Sequence, residues 1–105
     1  MPSQRQIERF TLAFHRVAVE RIRQEPELKQ KALQVLRRWE SNGASGGGQT
    51  YREAWKILLA GDVEALAHSV CVDTESAATL RSMSPLGFVL ATEERLRIRQ
   101  EAMAA

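Results

Sequence analysis

The 105-residue chain is poor in several residue types: one cysteine, three prolines and six aromatic residues. A single cysteine excludes an internal disulfide and a cysteine-rich zinc site. No apolar run approaches the roughly 18 residues a membrane span needs, so no membrane partner is expected. A charged start, an apolar stretch and a small-residue cleavage site do not occur together. No secretory leader is therefore expected, and a cytoplasmic location follows as an expectation. The net charge is only +2, too small for a strong general field towards polyanions. Periodic strand patterns are missing too. What is present is ordinary for a soluble domain, with 44% hydrophobic and 27% charged residues. The length bounds the chain to one domain that buries about 65% of its surface.

The distribution of charge says more than its sum. Residues 1–24 carry five Arg against two Glu, whereas residues 42–72 and 73–105 are each at minus one. Twelve of the 15 basic residues are Arg. Arg favours bidentate contact with carboxylates and phosphates, so the basic front of the chain suits an acidic protein or a nucleic acid.

Helical periodicity runs through most of the sequence. Ser3 and Gln6 fit a capping box opening a helix to about Gln24. Ile7, Phe10, Phe14, Val17, Ala18 and Ile22 form its apolar stripe, with Leu12 and Val19 to one side. Glu25-Pro26 breaks the chain and starts a second helix to about Ser41, with Leu28, Ala32, Val35, Leu36 and Trp39 on its apolar face. Residues 42–49 hold four of the six glycines and read as a flexible loop. They lack the Lys that a phosphate-binding loop requires. Thr50 with Glu53 predicts a capped helix to Ala60, stopped by a left-handed Gly61. Asp62 caps 63–70 and Asp73 caps 74–83. Residues 84–91 are apolar but broken by Pro85 and Gly87, which predicts an irregular core plug, with a short strand at 88–90 as the alternative. Thr92 caps a final helix to about 103, with Glu93 and Glu94 at its positive end.

The expected fold is all-α, an irregular or orthogonal bundle of five to six helices. It divides into a helical hairpin 3–41, a glycine-rich loop 42–49 and a helical lobe 50–105, in a single domain.

Catalytic and metal-binding patterns are weak. His68 and Cys71 lie three apart but have no third ligand nearby in sequence. Cys71 sits between Val70 and Val72, as an inert buried thiol would. His15 lies beside the apolar stripe and reads as a packed, hydrogen-bonded residue. Ser69 neighbours His68, but adjacent helical residues point about 100° apart. The carboxylate pairs Glu93–Glu94 and Asp62–Glu64 are explained by capping and dipole placement. No cofactor, catalytic residue or metal site is expected. Trp39 and Trp55 flank the glycine loop and suit a shared aromatic core.

The segment from Glu53 to Val70 reads helix, glycine turn, helix, like a helix-turn-helix motif. Its second helix carries Asp62 and Glu64 and no Arg or Lys, which opposes the phosphate contacts DNA binding needs.

Several pieces of the chain look familiar. Ser84-Pro85-Leu86-Gly87-Phe88-Val89-Leu90 precedes Thr92-Glu93-Glu94-Arg95, and Leu12 to Arg16, Ala32 to Trp39 and Trp55 to Gly61 come before it. In these pieces the chain resembles a group of small, uncharacterised helical bacterial proteins. Some of these are antitoxin candidates encoded beside toxin-like genes. The small core, the Arg-rich amphipathic first helix and the lack of a catalytic constellation suggest a non-enzymatic protein-interaction module, antitoxin-like or regulatory, that binds and masks another protein; the antitoxin-like part is what the resemblance implies. No catalytic residue carries over from it. The expected partner-binding residues are Arg5, Arg9, Leu12, Arg16, Val19, Arg23, Phe88 and Arg95, with a toxin or a second copy of the chain as partner. The alternative is a DNA-binding autoregulator using Arg5, Arg9 and Arg16.

Overall fold

Local capping chemistry sets most helix starts. The computed structural model describes residues 3–43 and 48–104. In helix α1 (Gln4–Gln24) the Ser3 Oγ accepts from the Gln6 N–H at 3.1 Å, and Gln6 Oε1 accepts from the Ser3 N–H at 2.8 Å. This is the capping box the sequence specifies. The chain turns at Pro26, and α2 (Leu28–Ser41) begins two residues later than expected because Pro26 and Glu27 form the turn. Gly43, with φ +82°, follows α2 in the left-handed region that favours glycine.

Helix α3 (Gln49–Ala60) starts one residue before Thr50. Thr50 therefore lies inside the first turn, and the predicted capping box with Glu53 does not form there. Gly61 is extended (φ −89°, ψ −165°) and not left-handed as expected. The reason is the next element: only Gly61 separates α3 from Asp62, which must itself be extended to cap α4 (Val63–Val70). The Asp62 carboxylate accepts from the Ala65 N–H at 2.8 Å. At α5 (Glu75–Ser82) the cap is Thr74, whose hydroxyl accepts from the Ala77 N–H at 3.2 Å, one residue beyond the predicted Asp73.

Residues 84–91 form the predicted irregular plug. Pro85, Leu86, Val89 and Leu90 are buried around a single 3-10 turn at Leu86–Phe88, and the strand alternative does not occur. Helix α6 (Thr92–Ala104) follows. Thr92 is its first residue and not its cap. Glu94 reaches back instead, accepting from the Ala91 N–H at 3.2 Å and from Arg21 Nη2 at 2.7 Å. The two contacts fix the start of α6 against α1.

Six α-helices thus make an all-α bundle with no strand among the described residues. Helix α1 is its axis and packs on α6, α4 and α5, while α2 packs chiefly on α3. Residues from α1 and α2 share one packed core with α3 and α4. Lys29 donates to the Gly61 carbonyl at 2.7 Å and Lys56 pairs with Glu40 at 2.8 Å, which holds α2 on α3. One core joins α1 to α4, the plug and Ile98 of α6. Of the predicted loop 42–49, residues 44–47 lie outside the described residues.

The buried face of α1 differs from the predicted stripe. Leu12, Phe14, His15, Ala18, Val19 and Ile22 face inward, while Ile7 and Val17 are exposed. At 100° per residue this is a rotation of roughly 80° towards the Leu12–Val19 side. Packing against α4 and α5 on that side takes up the arc.

Candidate functional site

The rotation of α1 leaves Ile7 and Phe10 on an edge that faces α6. From α6, Thr92, Arg95, Leu96, Arg99 and Met103 complete a groove of about 270 Å³. Their spacing of i, i+3, i+4, i+7 and i+11 is one helical face. Ile98 and Ala102, about 100° round the same helix, go into the core. Helix α6 therefore carries two apolar faces, and only one is buried within the chain. Ile7 is 41% exposed and Leu96 is 52% exposed. Two arginines line the groove and no carboxylate does. The Arg95 guanidinium lies 5.6 Å from the Phe14 ring centroid, a cation–π contact that stations it at the groove's inner end.

Behind Arg95 is a polar chain that anchors the plug. His15 Nδ1 lies 2.7 Å from the Thr11 carbonyl, and His15 Nε2 lies 2.7 Å from Ser84 Oγ. A carbonyl only accepts, so Nδ1 carries the proton and Nε2 accepts from the Ser84 hydroxyl. Ser84 Oγ in turn accepts from the Leu86 N–H at 3.1 Å. Each group has one consistent role, and the chain runs from α1 into the 84–88 turn. Burial pushes the His15 pKa down to about 4; the Thr11 bond opposes this and the Arg81 charge adds to it. The His15 ring also stacks near Trp55, with centroids 6.3 Å apart, and Trp55 donates to the Leu80 carbonyl at 2.9 Å. Trp55 is fully buried and Trp39 packs on the same core from α2.

The Ser84–His15 distance is that of a nucleophile and its base. Attack by the hydroxyl would place a proton on His15. Burial and Arg81 both oppose that imidazolium. The arrangement suits a fixed structural link between α1 and the plug.

The predicted contact residues fall on two surfaces. Arg95 lies in the groove, and Phe88, 41% exposed, lies on the turn whose Gly87 carbonyl faces Arg95 Nη1 at 3.5 Å. Arg5, Arg9, Arg16 and Arg23 form one stripe on α1, roughly 150° from the Ile7–Phe10 edge by helical rotation. Leu12 and Val19 do not belong to a contact surface: they are buried beside that stripe, Val19 at 3% exposure, because α4 and α5 cover them. Arg23 pairs with Glu20 and Glu64, and Arg16 faces the Cys71 carbonyl at 3.5 Å, so the rear of the stripe ties α1 to α4. Arg5 and Arg9 line a shallow concavity shared with Glu8 and Asp73, which offsets their charge.

The sequence did not mark Ile7 as exposed, Phe10 as half-buried at the groove's edge, or Leu96, Arg99 and Met103 as contact residues. The signal was present in the spacing 92–95–96–99–103. Arg81 was missed as well: it is buried in α5 and donates through Nη1 to the Val70 and Val72 carbonyls at 2.7 and 2.9 Å.

Among the described residues no three of His, Cys, Asp and Glu gather as metal ligands. Burial raises the Cys71 thiol, which faces the His15 carbonyl at 3.5 Å. No helix among the described residues is long and apolar enough to cross a membrane. No protein-family model, curated protein or solved structure matches the chain.

Proposed function

We propose that the chain is a non-enzymatic protein-interaction module whose groove between α1 and α6 receives an acidic, amphipathic helix of a partner protein. One observation carries this reading: Ile7 and Leu96 are exposed in the lining of one groove that also holds Arg95 and Arg99 and no carboxylate. Apolar side chains of a partner helix would fill the floor, and its Asp and Glu would meet the guanidinium groups bidentately. The cationic rim favours acidic partners and steers encounter. In its sharpest form the reading is antitoxin-like and cytoplasmic: the chain occupies a partner and masks its working surface, as the resemblance implies. DNA binding through Arg5, Arg9 and Arg16 is less well supported, because Glu8 and Asp73 share that face with Arg5 and Arg9.

The test is size-exclusion chromatography after co-expression with the neighbouring gene's product. The reading expects one complex peak, lost in Leu96→Glu and in Arg99→Glu. Both residues are exposed, so both variants should keep the fold. Separate elution of the two native proteins would overturn it.

A further inference from the structure

Next to the docking groove, but behind Arg95, lies a second cavity of about 170 Å³. Its walls combine Phe10 and Phe14 from α1 with Arg81, Ser84 and Arg95. Three features make it more than a packing gap.

The first is a buried charge without an ion pair, on which Asp73 and Glu8 act only from a distance. Arg81 is 4% exposed, and no carboxylate lies within ion-pair distance of it among the described residues. Its Nη1 is held by two neutral carbonyls, and its buried Nε has no hydrogen-bond partner. A buried guanidinium usually has a counter-charge, because desolvating it alone is costly. The second is the lining. It holds two guanidinium groups, the hydroxyl-bearing Thr11 and Ser84, and two phenyl rings, with no Asp or Glu. The remaining ionisable wall, His15, is neutral in the tautomer its two bonds define. The third is size. The volume is close to the ~150 Å³ of an engineered apolar cavity that takes benzene.

From these we infer that the cavity is a binding site for a small organic monocarboxylate with a one-ring or comparably small apolar body. The carboxylate sits with Arg81 and Arg95 and supplies the direct counter-charge that Asp73 and Glu8 give only from a distance. The body rests on Phe10 and Phe14. Inorganic anions fill the charge requirement but leave the phenyl walls bare, and neutral rings do the reverse, so the combination sets the ligand class. Arg95 also lines the docking groove, so an occupied cavity would hold that residue in place for a partner.

The experiment is an NMR titration of the full chain with sodium benzoate. Sodium chloride at matched ionic strength and benzyl alcohol serve as comparisons. Saturable shifts at the amides of Phe14, Gly87 and Arg95 are expected with benzoate. Benzyl alcohol, which lacks the charge, should bind about tenfold more weakly or worse. Arg95→Gln, at an exposed position, should weaken benzoate binding by a similar factor. Shifts that never saturate, that chloride reproduces, or that persist unchanged in Arg95→Gln would overturn the assignment. The titration uses the chain alone, so its failure leaves the docking proposal standing, and failure of docking leaves the cavity standing.

Discussion

Mild acid should destabilise this fold through one side chain. His15 is buried at 3% exposure and neutral, with its pKa pushed from 6.5 down to about 4. The unfolded chain therefore takes up a proton at His15 over a pH range where the folded chain does not. Stability contributed by the neutral ring is complete above the unfolded value of 6.5 and is lost as pH falls from there to about 4. At 1.36 kcal/mol per pH unit the full loss is about 3 kcal/mol, and about 2 kcal/mol is already gone at pH 5. The structural reason is specific. A proton on Nε2 would turn that nitrogen from acceptor to donor, so the Ser84 hydroxyl would lose its acceptor while still receiving the Leu86 N–H. The imidazolium would also face Arg81. Urea melts of the native chain between about pH 7 and pH 5 measure the loss. His15→Gln, less stable at pH 7, removes this dependence. Glu94, held below the usual carboxylate range by Arg21 and by the Ala91 amide, loses its contribution at lower pH in both proteins and cancels in the comparison. Native chain and variant losing stability in parallel between pH 7 and pH 5 would refute the reasoning.

Four further outcomes follow from named residues. Leu86→Ala removes a fully buried side chain of the plug and should cost about 3 kcal/mol in a denaturant melt. Thr74→Ala should cost about 1 kcal/mol as a lost cap, whereas Asp73→Ala should stay within about 0.5 kcal/mol; the reverse order would place the start of α5 at the residue sequence reading chose. Gly43→Ala should cost about 1 kcal/mol because of its positive φ, although nothing crowds the site. Gly61→Ala, at an extended glycine with only ordinary contacts, should leave the melting midpoint close to native.

Legibility in the sequence followed the range of the interactions. The Ser3–Gln6 box and the Asp62 cap act within four residues, and both were read correctly. Pro85 and Gly87 marked the plug because an apolar stretch broken by both suits neither helix nor strand. Thr74 against Asp73 is a choice between adjacent cap formers, and local sequence does not separate them. The face of α1 was misread because its apolar residues cover more than half a turn. Which part is buried depends on α4, α5 and α6, all more than 35 residues away. Leu12 and Val19 went inward for that reason, and Ile7 and Phe10 went to the groove. Of the residues that line the groove, only Arg95 was among the expected contact residues. Arg81 was hidden because its partners are carbonyls of Val70 and Val72, and no side-chain pattern announces a carbonyl. The spacing at 92–95–96–99–103 was readable, but α6 has apolar residues on two faces and so no single stripe.

Docking in the groove between α1 and α6 and docking on the arginine stripe of α1 make opposite demands on two variants. Calorimetric titration of the co-expressed partner into the native chain, Leu96→Glu, and an Arg5→Glu/Arg16→Glu double variant tells the two apart most directly. Groove docking loses binding in Leu96→Glu and preserves it within a few fold in the double variant. Binding that survives Leu96→Glu and disappears with Arg5 and Arg16 would contradict it and move the contact surface to the arginine stripe of α1.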